Sequence, residues 1–232
     1  MKRNKTRSRF LLSLLLFVLF IAFTAAVKAV DVQAIGPQGS EVGFAGVNGF
    51  FFELLGTSDL WYKITKLLGY LSFVVAGAFA LIGLAQLVRR RSIAKVDYRI
   101  LLLAGFYVLV VAFYALFEKL VVNYRPVILD ETVGLEASYP SSHTMMLICI
   151  MATAHKLLPR YCKNGAIVAV GRVVCVLMMV VMPVGRLLSG VHWFTDVLGA
   201  VLLSAALVSL YSAAVYAVGR RVRRKKKRAR RA

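Results

Sequence analysis

Residues 100–117 read "ILLLAGFYVLVVAFYALF", eighteen positions without a charge, and the way such a run is satisfied decides the fold. As an α-helix it would rise about 27 Å, close to the ~30 Å hydrocarbon core of a bilayer. Inside that core every backbone polar group needs an internal partner, which leaves helices or closed barrels. Barrel strands alternate apolar and polar side chains, and this run does not alternate. It predicts a transmembrane helix.

Working outward, Phe10 to Val27, Leu67 to Val88 and Val197 to Val218 have the same character. Two further runs are interrupted: the one after Thr144 by His155 and Lys156, and the one from Ala166 to Val184 by Arg172. Such residues must snorkel or pair. Six spans are expected, in an all-α polytopic membrane bundle. The whole chain agrees, since its mean hydropathy is +0.75 and only 17% of its 232 residues are charged, which excludes an ordinary soluble domain. The first span follows "MKRNKTRSR" and precedes "TAAVKA", as a signal peptide would, but its apolar core exceeds the usual ~7 to 15 residues; an uncleaved anchor is expected. The three cysteines, Cys149, Cys162 and Cys175, suggest neither a disulfide framework nor a metal-binding pair.

Charge sets the orientation. With six spans, the segments on one side are residues 1–9, 89–99, 155–165 and 219–232, and they carry 23 of the 30 Lys and Arg. Nine of the ten acids fall on the other side, Asp97 being the exception. Lys/Arg bias places the basic side in the cytoplasm, with both termini. The polybasic tail, 219–232, reads as a topology signal and a contact for anionic inner-leaflet lipids rather than a nucleic-acid site. The chain reads as a single integral-membrane domain, in which residues 31–63 form the longest outer loop, an amphipathic interfacial piece.

Three outer stretches gather the chemistry: "EKLVVNYRP" (118–126), "YPSSHT" (139–144) and "GRLLSGVHWFTD" (185–196). Between His143 and His192 lie enough residues to go down through one helix and back up through the next, so both histidines return to one face. An Arg or Asp near the bilayer centre costs about 2.5 to 3.5 kcal/mol, so these groups belong at the outer mouth of the bundle. On a helix, Asp196 lies one turn from His192 and would hold a ring N–H, fixing the tautomer and raising the basicity of the other nitrogen. Ser189 and Gly190 permit a turn that returns Arg186 to the same place. Arg125 and Arg186 then offer two guanidiniums to one pocket, as a phosphate with several oxygens requires. Ser141 and Ser142 open the next span, where free backbone N–H groups favour an anion.

Pro140-Ser141-Ser142-His143, followed by Arg186, five residues, His192, three residues and Asp196, resembles the second and third signature motifs of the type 2 phosphatidic acid phosphatase superfamily. Arg125-Pro126 resembles the end of the first motif. The sequence departs from the family pattern in three places: Glu118 stands seven before Arg125 where the family has lysine, with Lys119 one later; Ser142 replaces a glycine; Gly185 replaces a serine. The resemblance implies a phosphohydrolase that needs no metal or other cofactor. His192 would attack phosphorus to form a phosphohistidine, Asp196 would orient it, and His143 would protonate the leaving oxygen. Arg125, Arg186, Ser141, Ser142 and Lys119 would bind phosphoryl oxygens.

A site on the outer leaflet of a bacterial plasma membrane implies a lipid phosphate exposed there, with undecaprenyl diphosphate as the first expectation. Phosphatidic acid and phosphatidylglycerol phosphate are alternatives, as are transfer of the phosphoryl group to an alcohol and an inert lipid-binding or transport role.

Overall fold

The structure is a computed structural model and describes residues 2–229. The end of the polybasic tail, 230–232, lies outside the described residues, as do Met1 and the side chains of 2–5 and 225–227. Among the described residues there are seven α-helices: α1 (Lys2–Ala29), α2 (Ala45–Leu55), α3 (Asp59–Arg90), α4 (Tyr98–Lys119), α5 (Ser142–Tyr161), α6 (Gly165–Leu188) and α7 (Phe194–Ala229). They contain no strand, only isolated β-bridges, and the fold is all-α as the apolar runs require.

Helices α1, α3, α4, α6 and α7 are long and apolar enough to cross a membrane. Large apolar side chains such as Leu14, Val74, Val108 and Val180 stand exposed along them, as lipid-facing surfaces do. Helix α5 is different. It touches α3, α4, α6 and α7 and buries Thr144, Met145, Leu147, Cys149 and Thr153 among others. A helix walled by protein can keep hydroxyls if they are bonded, and Thr153 Oγ1 donates to Cys149 O of its own helix (2.9 Å). The two interruptions noted in the sequence meet each other, with Arg172 Nε donating to His155 Nε2 (3.2 Å). The three cysteines are free thiols.

Helix starts follow from short polar side chains. Asp97 accepts the N–H of Arg99 before α4 (3.0 Å), and Asn164 accepts those of Ala166 and Ile167 before α6 (3.0 and 3.1 Å), satisfying donors that a helix leaves unpaired. Helix α1 lies along α7; buried Ser13 donates to Ala206 O (3.1 Å), and Phe20 stacks on Tyr139 (6.2 Å) while meeting Phe117 edge-on (5.7 Å). The alternating direction of successive long helices brings the ends of α4 and α6 and the starts of α5 and α7 to one end of the bundle.

Candidate active site

Between α4 and α5 the chain folds back on itself. Arg125 N–H donates to Glu136 O (3.1 Å) and Ser138 N–H to Asn123 O (2.9 Å), so 123–125 and 136–138 run side by side and present Asn123, Arg125 and Ser138 to the start of α7. Trp193 Nε1 pins this loop by donating to Tyr124 O (2.8 Å). Between α6 and α7 the turn at Ser189-Gly190 forms as the sequence suggests. Gly190 has φ +68°, and a side-chain carbon there would stand 2.7 Å from Gly56 O; only glycine meets both demands. Helix α2 covers this turn. Asn48, fully buried, donates to Thr195 Oγ1 (3.0 Å) and accepts the Thr195 N–H (3.1 Å), and Phe51 stacks on Phe194 at 4.4 Å.

His192 sits in that turn, not on a helix. Its Nδ1 is 3.0 Å from Ser138 Oγ and 3.7 Å from Asp196 Oδ2, and Ser138 Oγ donates to the same Oδ2 in a short contact. Its Nε2 is 3.4 Å from Arg125 Nη1. A guanidinium only donates, so Nε2 is the acceptor and the ring proton belongs on Nδ1. The proton chain then runs Nδ1–H to Ser138 Oγ, and Ser138 O–H to Asp196. Asp196 therefore orients the ring chiefly through Ser138 rather than directly across one helical turn. Its carboxylate, wholly buried, also accepts the Trp193 N–H (2.9 Å) and Asn123 Nδ2 (3.2 Å); reaching back to the residue before the helix, it caps α7 as the acid of a capping box does. Burial depresses the basicity of His192 well below the ordinary imidazole range, and the charges of Arg125 and Arg186 depress it further. Both effects favour the neutral imidazole, with its lone pair on Nε2.

Arg186, in the last turn of α6, is 1% exposed, and its Nε and Nη1 have no hydrogen-bond partner. Its guanidinium carbon lies 5.8 Å from the Tyr62 ring centroid. No carboxylate pairs with it among the described residues. Arg125, by contrast, pairs with Glu136 (Nε to Oε2, 2.7 Å) and donates to Val191 O (3.3 Å). His143, second residue of α5, buries an unpartnered Nδ1 and lies within electrostatic reach of Arg186, Arg125 and Lys66.

The structure thus brings His192, Asp196, His143, Arg125 and Arg186 together. Ser142 begins α5 beside His143, half-buried. Ser141 is fully buried and its hydroxyl donates to Thr144 Oγ1 (3.0 Å), facing the bundle. Lys119 ends α4 as an exposed side chain, and the cation near His143 outside the three stretches is Lys66 of α3. Ser138, Asn123 and Lys66 escaped sequence reasoning. Ser138 and Asn123 carry no motif, and their place depends on a loop pairing without periodicity. Lys66 carried a weak signal as a basic residue one position before an apolar run.

A family model described as PAP2 superfamily matches residues 100–220, from the first turn of α4 into α7, a stretch that includes Arg125, His143, Arg186, His192 and Asp196. No curated protein matches the chain at a significant level. Among solved structures, the first transmembrane PAP2 type phosphatidylglycerolphosphate phosphatase from Bacillus subtilis is similar, with a TM-score of 0.57 at 17% identity over 87% of this chain and 94% of that one. Aquifex aeolicus LpxE matches with a TM-score of 0.40 at 21% identity, over 72% of this chain and 96% of its own.

Proposed function

The chain belongs to the PAP2 superfamily, and from that premise we propose that it is a lipid phosphate phosphatase working through His192. Nε2 attacks phosphorus, a P–N bond forms as the P–O bond to the lipid breaks, and His143 gives the departing oxygen its proton. Water then attacks the phosphohistidine, His143 takes its proton back, and inorganic phosphate leaves. Phosphoryl transfer asks chiefly for positioning and stabilisation of the equatorial oxygens. Arg186 is the observation that carries this reading: a buried guanidinium with two unpartnered nitrogens beside a neutral histidine is a site waiting for an anion. Arg125 and the N-terminus of α5 complete the cradle, with Ser142 at its edge. In this reading the positive charge on the phosphate comes from these groups.

We read α5 as the sixth span, with both ends of the chain in the cytoplasm and the multi-pass protein in a plasma membrane. The support is the Lys/Arg bias of the segments at the end of the bundle remote from His192. The substrate then lies in the outer leaflet, and undecaprenyl diphosphate fits: it exposes a terminal phosphate there and releases a lipid monophosphate as leaving group. The direct test is phosphate release by purified protein in excess chelator from undecaprenyl diphosphate, phosphatidylglycerol phosphate and phosphatidic acid in parallel. Release from the first is expected. Release only from another lipid would reassign the substrate, transfer to an added alcohol without free phosphate would make the protein a phosphotransferase, and neither product would end the enzymatic reading.

His143→Ala should lower kcat by about 10² to 10⁴, the usual contribution of a general acid, when the leaving group is a lipid alkoxide or phosphate. With p-nitrophenyl phosphate, whose leaving group needs no proton, the loss should shrink; an equal loss on both would argue that His143 binds phosphate instead. Ser138→Ala should reduce kcat by roughly 10²-fold through misplacement of the ring while KM stays unchanged, and Ser138→Thr should restore much of it. A change in KM alone would show that the hydroxyl contacts substrate and does not position His192.

A further inference from the structure

A second set of cations gathers at the other end of the bundle, where the phosphatase reading gives it no task. Between α1, α4, α5 and α7 lies a cavity of about 330 Å³ whose lining includes Arg9, Arg99, Lys156, Arg160 and Arg223, within the ~300 to 1,000 Å³ usual for ligand pockets. A larger space beside it shares Arg99, Arg160 and Arg223, and the one carboxylate lining either is Asp97. Asp97 is already engaged by Arg99 (3.3 Å) and Arg160 (3.5 Å). Among the described residues no carboxylate pairs with Arg9, Lys156 or Arg223; Arg9 lies over the Tyr216 ring (4.6 Å) and Lys156 donates to Ser212 Oγ in a short contact. Like charges held together in this way repel, and an anion shared among them relieves the repulsion.

The shape of the neighbouring surface says which kind of anion. The cavity meets a groove of about 500 Å³ through shared Arg9, Lys156 and Ser212, and the groove continues along α1 and α7 over Leu12, Leu16, Ala205 and Val208. Free phosphate has no use for an apolar groove, whereas an acyl chain does. Helix α7 comes close to the start of α4 at the far wall, where a side-chain carbon at Gly219 would stand 2.6 Å from the Tyr98 hydroxyl.

We propose that this cavity binds the phosphate headgroup of an anionic phospholipid in the leaflet opposite the catalytic site, with one acyl chain in the α1–α7 groove. Basic pockets between membrane helices are a known means of holding such headgroups. The site differs from the polybasic tail in being built: its cations come from four helices and converge on a cavity.

The test uses the full chain, delipidated in neutral detergent, with native mass spectrometry counting dioleoyl phosphatidylglycerol or dioleoyl phosphatidylcholine retained. Wild type should hold phosphatidylglycerol and not phosphatidylcholine. The double variant Arg9→Gln/Lys156→Gln should lose phosphatidylglycerol affinity by roughly tenfold or more, yet release phosphate from a detergent-dispersed substrate at the wild-type rate. The triple variant Arg221→Gln/Arg224→Gln/Arg228→Gln, which alters the tail and spares the cavity, should bind as wild type does. If the double variant does not fold, Arg223→Gln, at an exposed position, should still weaken binding several-fold. Equal loss in the tail variant, equal binding of phosphatidylcholine or unchanged binding in the cavity variants would overturn the proposal. Displacement of phosphatidylglycerol by millimolar inorganic phosphate would assign the cations to a free anion and overturn the lipid assignment.

Discussion

His192→Ala should abolish measurable turnover, a fall of roughly 10⁴- to 10⁶-fold as for other lost nucleophiles, while leaving the protein folded. The neighbouring structure supports both halves of that expectation. In the proposed mechanism Nε2 forms the new bond to phosphorus, and two nearby hydroxyls are engaged elsewhere: Ser138 Oγ lies between Nδ1 and Asp196, and the Ser141 hydroxyl donates to Thr144. The fold at this point rests on other groups. Asp196 keeps its bonds from Trp193 N–H, Asn123 and Ser138 without the imidazole, and Asn48 continues to hold the start of α7. Quenching turnover in alkaline detergent, where the acid-labile P–N bond survives, should trap radioactive phosphate on wild-type protein and none on the variant. Undiminished turnover in His192→Ala would remove the phosphohistidine mechanism.

Arg186→Met should move stability and activity in opposite directions. In the ligand-free protein the guanidinium is a buried charge with no counterion, and substituting an apolar side chain of similar reach should stabilise the fold by about 1 to 4 kcal/mol, as replacement of buried charge has done elsewhere. The same change removes a planar pair of donors from the phosphate, and kcat should fall by roughly 10² to 10³. Thermal unfolding in detergent, with and without inorganic phosphate, gives a third readout: phosphate should raise the Tm of wild type, since a ligand that binds only the folded state stabilises it, and should do little for the variant. A joint loss of stability and activity would mean that Arg186 is a strut, and the central argument for an anion site would fall with it.

The spans were legible because lipid imposes one rule on every position that faces it, and neither Phe10 to Val27 nor Ile100 to Phe117 carries a charge. Helix α5 was harder to read for the opposite physical reason. Its neighbours are α3, α4, α6 and α7, so its sequence answers to packing and hydroxyl partners, and Thr144, Thr153 and His155 break the apolar pattern. At the site, the spacing of Arg186, His192 and Asp196 was readable because one short turn joins them. That spacing also suggested a shared helix for His192 and Asp196; α7 begins two residues after His192, and the gap between ring and carboxylate is filled by Ser138 from a distant loop. Contacts of that kind, like the approach of Lys66 from α3 to His143, arise from tertiary placement and leave no local period to detect. Lys119, one position from where the family pattern has its lysine, is instead an exposed end of α4.

The pairing of α1 with α7 also sets an order of events during synthesis. Helix α1 finds its seat against α7 through Ser13 and Ala206, 193 residues apart, a contact that cannot form before α7 has been made. His192 and Asp196 arrive with that segment, while Arg125 and His143 precede it in the chain. On the proposed mechanism, a chain still lacking α7 would hold phosphate-attracting charge with no nucleophile, and the capacity for chemistry would come only with the assembled bundle.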